Sequence, residues 1–288
     1  LSEEPWTVLR LIRWSTDYLT EKGIEQGRLD SEHLLAHALD VGRLQLYLEY
    51  DRPLIAEELD RFRPMLQRRA RREPLQHVVG RTGFRELELK TDARALIPRP
   101  ETEVLVDLVL DWARGRGALS AVDIGTGTGC IALSLAKEGP FEVIRGIDIS
   151  EEALELAREN AAQTGLQDRV EWLHGSRFEP LPADLRVDVV VSNPPYIGES
   201  ERSGLQPEVR DFEPALALFS GAEGGEMLTA LIRESGDRLN PGGLFAVEVG
   251  LGQAEGVRDQ LAASEAFDDA SVHEDYTRRP RFVTAIRR

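Results

Sequence analysis

The chain has 288 residues, 41% of them hydrophobic, and a formal charge of −16 from 51 acidic and 35 basic side chains. This is the composition of a folded protein with a real core, and the acid excess argues against a sequence-independent grip on nucleic-acid backbones, which is mainly cationic. A single cysteine, Cys130, excludes an internal disulfide framework and a cysteine-based zinc site.

No apolar run approaches the roughly 20 residues of a membrane span. The start, Leu1-Ser2-Glu3-Glu4-Pro5, lacks the basic and apolar regions of a secretory leader, so a cytoplasmic protein without membrane association is expected.

Residues 1 to about 75 read as helical. Val8, Leu9, Leu11, Ile12 and Leu19 fall near a 3.6-residue period, as do Leu34, Leu35, Ala38 and Leu39. Asp30 and Ser31 have the chemistry of an N-cap for the second helix. A third helix is predicted over about 56–72, carrying Arg61, Arg63, Arg68, Arg69, Arg71 and Arg72. These arginines suit an acidic partner or RNA, but a solvated helix face is the stronger reading of such a charge run. His33 and His37 share a helical spacing without a third ligand, so no metal site is expected.

From Leu75 to about Lys90, Gly80 and Gly83 punctuate short segments containing Phe84, Leu87 and Leu89, the pattern of a β-hairpin between two domains. A stiff turn follows, Leu96-Ile97-Pro98-Arg99-Pro100-Glu101-Thr102-Glu103, feeding a helix near Glu101. Strands are then expected at 121–124, 143–147, 170–173, 187–191, 244–249, 270–273 and 282–286, with helices between most of them. That alternation predicts a doubly wound, largely parallel sheet. The last two strands have only a short polar connection and should pair antiparallel. Six parallel strands and a final antiparallel one make the Rossmann-like arrangement of class I methyltransferases, a seven-stranded α/β sheet.

Val122-Asp123-Ile124-Gly125-Thr126-Gly127-Thr128-Gly129 reads as strand, glycine turn and helix start. Its glycines admit positive φ and let the backbone approach a ligand. Asp148 ends the next strand, where a carboxylate can accept both hydroxyls of a ribose. A dinucleotide fingerprint needs G-x-G-x-x-G, whereas this loop is G-x-G-x-G, and that spacing favours S-adenosyl-L-methionine over NAD. Cys130, just inside the helix, is a small packing residue.

Asn193-Pro194-Pro195-Tyr196 follows the apolar run Val187-Asp188-Val189-Val190-Val191-Ser192. The paired prolines end the strand in a stiff loop, at the sheet edge where ligands bind in open α/β folds. An amide side chain, carbonyls and an aromatic ring held there in one shape can grip a planar amide or amine.

Taken together, these motifs resemble the protein-(glutamine-N5) methyltransferases of the HemK/PrmC type, over nearly the whole length. The likeness includes the helical leader, the Gly80/Phe84 hairpin, the Pro98-to-Glu103 segment and both motifs above. It extends to Phe212-Glu213-Pro214-Ala215-Leu216 and to Gly242-Gly243-Leu244 with Glu248-Val249-Gly250. It implies methyl transfer from S-adenosyl-L-methionine to the Gly-Gly-Gln glutamine of class I peptide-chain release factors, with no stable nucleic-acid partner.

By position, it places Gly125, Thr126, Gly127, Thr128 and Gly129 around the cofactor's methionine part and Asp148 on its ribose. Asn193, Pro194, Pro195 and Tyr196 would hold the glutamine, with Asn193, Pro194 and Tyr196 catalytic and Asn193 also near the cofactor. Relatives often carry Asp-Trp-Phe where this chain has Ser176-Arg177-Phe178, so Arg177 is expected to stack over the adenine instead. The implied domains are 1–75 for substrate docking, 76–92 as hairpin linker and 93–288 for catalysis. The Asn-Pro-Pro-Tyr motif alone is shared with amino methyltransferases acting on DNA adenine or RNA guanine, the alternative activity.

Overall fold

The structure is a computed structural model that describes residues 5–288; residues 1–4, and with them most of the expected leaderless start, lie outside it. The chain divides into two compact units, residues 1–80 with 206–212 and residues 81–205 with 213–288.

The first unit is helical: α1 (Val8–Glu21), α2 (Gly27–Leu39), α3 (Arg43–Leu48), α4 (Ala56–Ala70) and α5 (Leu75–Val79). Thr7 caps α1 by accepting the Arg10 N–H at 3.3 Å, and the periodic apolar residues Val8, Leu11, Ile12 and Leu19 are buried with Leu34, Leu35, Phe62 and Leu66.

Four features depart from the sequence reading, the first being that Leu75–Val79, read as the start of the hairpin, forms the helix α5, so that the hairpin begins only at Arg81. The second helix begins at Gly27, so Asp30 and Ser31 lie inside its first turns and are not its N-cap. Asp30 is drawn in because its Oδ2 takes the Arg69 Nε–H at 2.6 Å, and the Ser31 hydroxyl donates to the Gly27 carbonyl at 2.7 Å. The short helix α3 was not foreseen, six residues being too few to show a period. The arginine run is not uniformly solvated either: the Arg69 side chain is only 8% exposed and also pairs with Glu208, as does Arg72. His33 and His37 stand on the exposed face of α2.

The second unit opens with a hairpin, β1 (Arg81–Phe84) and β2 (Leu87–Lys90), whose Phe84, Leu87 and Leu89 are buried in this unit's own core. The hairpin is thus part of the second unit's packing. Then come α6 (Thr102–Ala113), β3 (Leu119–Ile124), α7 (Cys130–Glu138), β4 (Phe141–Asp148), α8 (Glu151–Gln163), β5 (Val170–His174) and β6 (Val187–Ser192). After a 3-10 turn at Glu199–Gly204 the chain forms α9 (Pro207–Phe212), which packs with the first unit, and α10 (Ala215–Leu218). It ends with α11 (Glu226–Arg238), β7 (Leu239–Glu248), α12 (Ala254–Ala263), β8 (Phe267–Glu274) and β9 (Pro280–Arg287).

The seven long strands form one sheet in the order β5-β4-β3-β6-β7-β9-β8, parallel through β7, with β9 antiparallel to both its neighbours. This is the class I methyltransferase arrangement expected from the sequence. Alternate strand residues face opposite layers. Ala121, Ile144, Val189 and Val191 meet α6 and α7, while Val122, Ile147, Val190 and Phe245 meet α11 and α12. No helix among the described residues is long and apolar enough to cross a membrane.

Candidate active site

Sheet register explains where the functional residues meet. Ile124 pairs with Ile147 of β4 and Ser192 of β6, and Ser192 pairs with Val247 of β7. These four residues form one level row across the sheet. The next residue on each strand is Gly125, Asp148, Asn193 or Glu248, so four chemically distinct groups emerge together at the C-terminal edge. The Ser192 hydroxyl, donating to the Ile124 carbonyl at 2.7 Å, pins the centre of the row.

Above this edge lies a cavity of about 490 Å³ within the second unit. That size is in the range of small-molecule sites. Its walls include Gly125, Thr126, Gly127 and Thr128, then Asp148, Arg177, Asn193 and Pro195. Gly129, Pro194 and Tyr196 stand outside the lining set.

The glycines of the loop have different reasons. At Gly125 (φ 72°) a Cβ would meet no protein atom within 4 Å, on an exposed residue that lines the cavity, so the absent side chain leaves ligand space. At Gly129 (φ 81°) a Cβ would come within 2.8 Å of the Trp172 ring and 3.3 Å of Ala157, so packing requires the glycine there.

Asp148 shapes the loop it faces: its Oδ2 accepts the Gly127 N–H at 2.9 Å and its Oδ1 the Ser150 N–H at 2.9 Å. Burial raises its carboxyl above the usual range, while those N–H groups favour the ionised form. Arg177, at φ 52°, is among the residues that line the cavity, and its guanidinium is held by Glu234 through Nε at 3.0 Å. Burial pushes the thiol of Cys130, another residue of the cavity lining, up to about 12, so it stays protonated at neutral pH.

Several residues that sequence reasoning assigned no role complete the site. The buried Glu213 carboxylate accepts the Ile97 N–H and an Arg99 N–H, joining the Pro98–Pro100 turn to the Glu213–Pro214 segment. Asn193 Nδ2 donates to Thr102 Oγ1 at 3.1 Å, and Thr102 donates to Glu248 Oε2 at 2.7 Å. Glu248 Oε1 accepts from the Tyr196 hydroxyl at 3.2 Å and from Arg281 at 3.1 Å, and Arg281 also donates to the Tyr196 oxygen at 2.8 Å. Burial raises the Glu248 carboxyl against the pull of these donors. The Tyr196 hydroxyl is pushed up to about 12 by burial and by the Glu248 charge, so it stays protonated at neutral pH. Thr102 and Glu248 belonged to motifs visible in the chain, but only the fold puts them in contact.

Residues 10–80 match the PrmC N-terminal domain and residues 116–248 match a methyltransferase domain. Proteins named release factor glutamine methyltransferase align with nearly all of the chain. The one from Geobacter sulfurreducens is 44% identical over 259 residues, 89% of each chain. Those from Caulobacter vibrioides and Chlorobaculum tepidum are 40% and 37% identical, covering 98% and 99% of this chain and 96% and 98% of their own. Among solved structures, the hMettl16 catalytic domain in complex with an RNA hairpin superimposes with a TM-score of 0.59 at 18% identity, over 77% of this chain and 81% of that one. The T. thermophilus 16S rRNA N2 G1207 methyltransferase RsmC, in complex with AdoMet and guanosine, gives 0.51 at 18% identity, over 72% and 50%. These two likenesses show the shared fold. With 37–44% identity along most of its length to proteins that bear that name, the chain belongs to the release factor glutamine methyltransferases.

Proposed function

We propose that this enzyme transfers a methyl group from S-adenosyl-L-methionine to the side-chain amide nitrogen (N5) of the Gly-Gly-Gln glutamine in class I peptide-chain release factors, leaving S-adenosyl-L-homocysteine. The observation that carries the reading is the level row of Gly125, Asp148 and Asn193 at the sheet edge beneath one cavity. It sets a glycine-lined space, a carboxylate and an amide side by side.

The residues present fit the cofactor. Gly125, where a Cβ would meet no protein atom, would leave room for its methionine part, the cavity-lining Asp148 would accept from the ribose, and Arg177, another lining residue, would lie beside the adenine. When bound, the cofactor supplies an electrophilic methyl group on a sulfonium sulfur.

The chain's own task is then to aim the amide. An amide nitrogen is a weak nucleophile because its lone pair is delocalised into the carbonyl. Asn193 Oδ1 and the Pro194 carbonyl each accept one N–H of the glutamine, which fixes the nitrogen and favours the positive charge that develops on it. Most of the rate then comes from orientation. A separate base is unnecessary, since an N-methylated amidium is strongly acidic, and the protonated Tyr196 hydroxyl is not one. Tyr196 holds the loop through Glu248 and Arg281. Residues 1–75 dock the body of the release factor, supplying selectivity that a Gly-Gly-Gln loop, poor in side chains, does not offer.

Incubation with methyl-labelled S-adenosyl-L-methionine and either release factor, DNA or ribosomal RNA tests the reading. Label is expected on the glutamine amide of the release factor. Label on nucleic acid and none on the factor would overturn it.

A further inference from the structure

The hydrogen-bond chain behind Asn193 has a direction. Glu248 receives three donors: the Thr102 hydroxyl, the Tyr196 hydroxyl and the Arg281 guanidinium. An ionised carboxylate only accepts, so the set fits that form. Its partner Arg281 is 13% exposed and the Glu248 side chain 1% exposed, so water does not compete for these bonds.

The Thr102 proton is therefore committed to Glu248. Toward Asn193, Thr102 Oγ1 can only accept, and the group it receives is Nδ2–H. A flipped Asn193 would set its carbonyl oxygen against a hydroxyl oxygen with no proton left to share. The amide is thus locked with Oδ1 turned away from Thr102.

From this geometry we infer that Thr102, Glu248 and Arg281 are positioning residues that set the flip of the Asn193 amide, so that the site presents an acceptor and selects a nucleophile bearing N–H. Three separated segments cooperate in this: the first residue of α6, the last of β7 and the second of β9. Glu248 occupies the same level row as Asn193, one strand across, which is why its carboxylate can reach behind the loop. The inference rests on the role of Asn193 Oδ1 proposed above.

Thr102→Val removes the hydroxyl at nearly constant volume, while Thr102→Ser keeps it. Thr102→Val should lower kcat on release factor by about tenfold or more, the worth of about one buried hydrogen bond. KM and the calorimetric affinity for S-adenosyl-L-methionine should stay within about twofold of the parent. Thr102→Ser should restore most of the turnover. A second readout is independent of turnover: the Asn193 side-chain amide proton should be protected from exchange in the parent and in Thr102→Ser, and unprotected in Thr102→Val.

Parental kcat in Thr102→Val, or equal losses in the Val and Ser variants, would overturn the inference, since the hydroxyl would then not set the flip. Asn193→Ala separates the two layers. If it abolishes turnover while Thr102→Val does not, the network alone is wrong; if turnover survives in Asn193→Ala, the role of Asn193 itself falls.

Discussion

At the residue scale, Asp123, which holds the glycine loop through Thr126, should make the fold's stability depend on pH. It is fully buried; its Oδ2 accepts from the Thr126 hydroxyl at 2.6 Å and the Ala132 N–H at 3.3 Å, and its Oδ1 has no partner. Burial pushes its carboxyl up to about 7, and the nearby Asp148 charge adds to the rise, against the pull of those two donors. An unfolded aspartate ionises near 3.9, so the folded state holds the proton more tightly. That preference contributes stability in full below about pH 4 and loses it as pH rises through about 7. Asp123→Asn cannot titrate. The melting temperature of the parent relative to this variant should therefore fall between pH 5 and pH 8, and a constant difference would refute the assignment. Asn193, Asp148 and the glycine loop, which the structure brings to one sheet edge, were legible as candidates because each directly follows or ends a strand that the sequence shows. Thr102, Glu248 and Arg281 were not: their partnership spans up to 146 residues and exists only through sheet register.

At the element scale, strands and helices were legible where periodicity is long, and all seven strands of the main sheet were foreseen, most of them too short. The ends were short because polar or glycine residues such as Asn240 and Gly242 carry β7 beyond its apolar core. What holds elements together was not legible. Asn160 of α8 is fully buried; its Oδ1 accepts the Lys90 N–H at 2.7 Å, and its Nδ2 donates to the Lys90 carbonyl at 3.2 Å and the Thr128 carbonyl at 3.0 Å. One side chain thus joins the hairpin, α8 and the glycine loop, yet an asparagine among helical residues gives no sign of it. Asn160→Ala orphans three backbone groups and should destabilise the protein by about 2–4 kcal/mol in urea unfolding, with weaker S-adenosyl-L-methionine binding because Thr128 loses its anchor. A loss under about 0.5 kcal/mol would show that water replaces these bonds.

At the scale of the whole molecule, the cavity is built by one unit alone. Every residue lining the cavity lies between Ala93 and Ala230 and belongs to the second unit, whereas 206–212 lies outside that lining and packs with the helices. That excursion was illegible in the sequence, because Glu208 finds Arg69 and Arg72 some 139 and 136 residues away. The same pairing narrows what the arginine run can do for a partner: Arg69 and Arg72 serve Glu208, Arg68 serves Glu73 and Arg63 serves Asp60, which leaves Arg61 and Arg71 as the exposed members. A chain beginning at Arg81 should therefore keep its calorimetric affinity for S-adenosyl-L-methionine within about threefold, since it loses no wall of the cavity. Its methylation of intact release factor should fall by about 100-fold, because losing one of two linked contacts removes the effective-concentration gain of the pair. Its rate on a short Gly-Gly-Gln peptide, which has no second contact to lose, should match that of the full chain. Equal rates of the two chains on intact factor would remove the docking role of the helical unit. Equal losses on peptide and factor would instead place that unit's contribution in the stability of the catalytic unit.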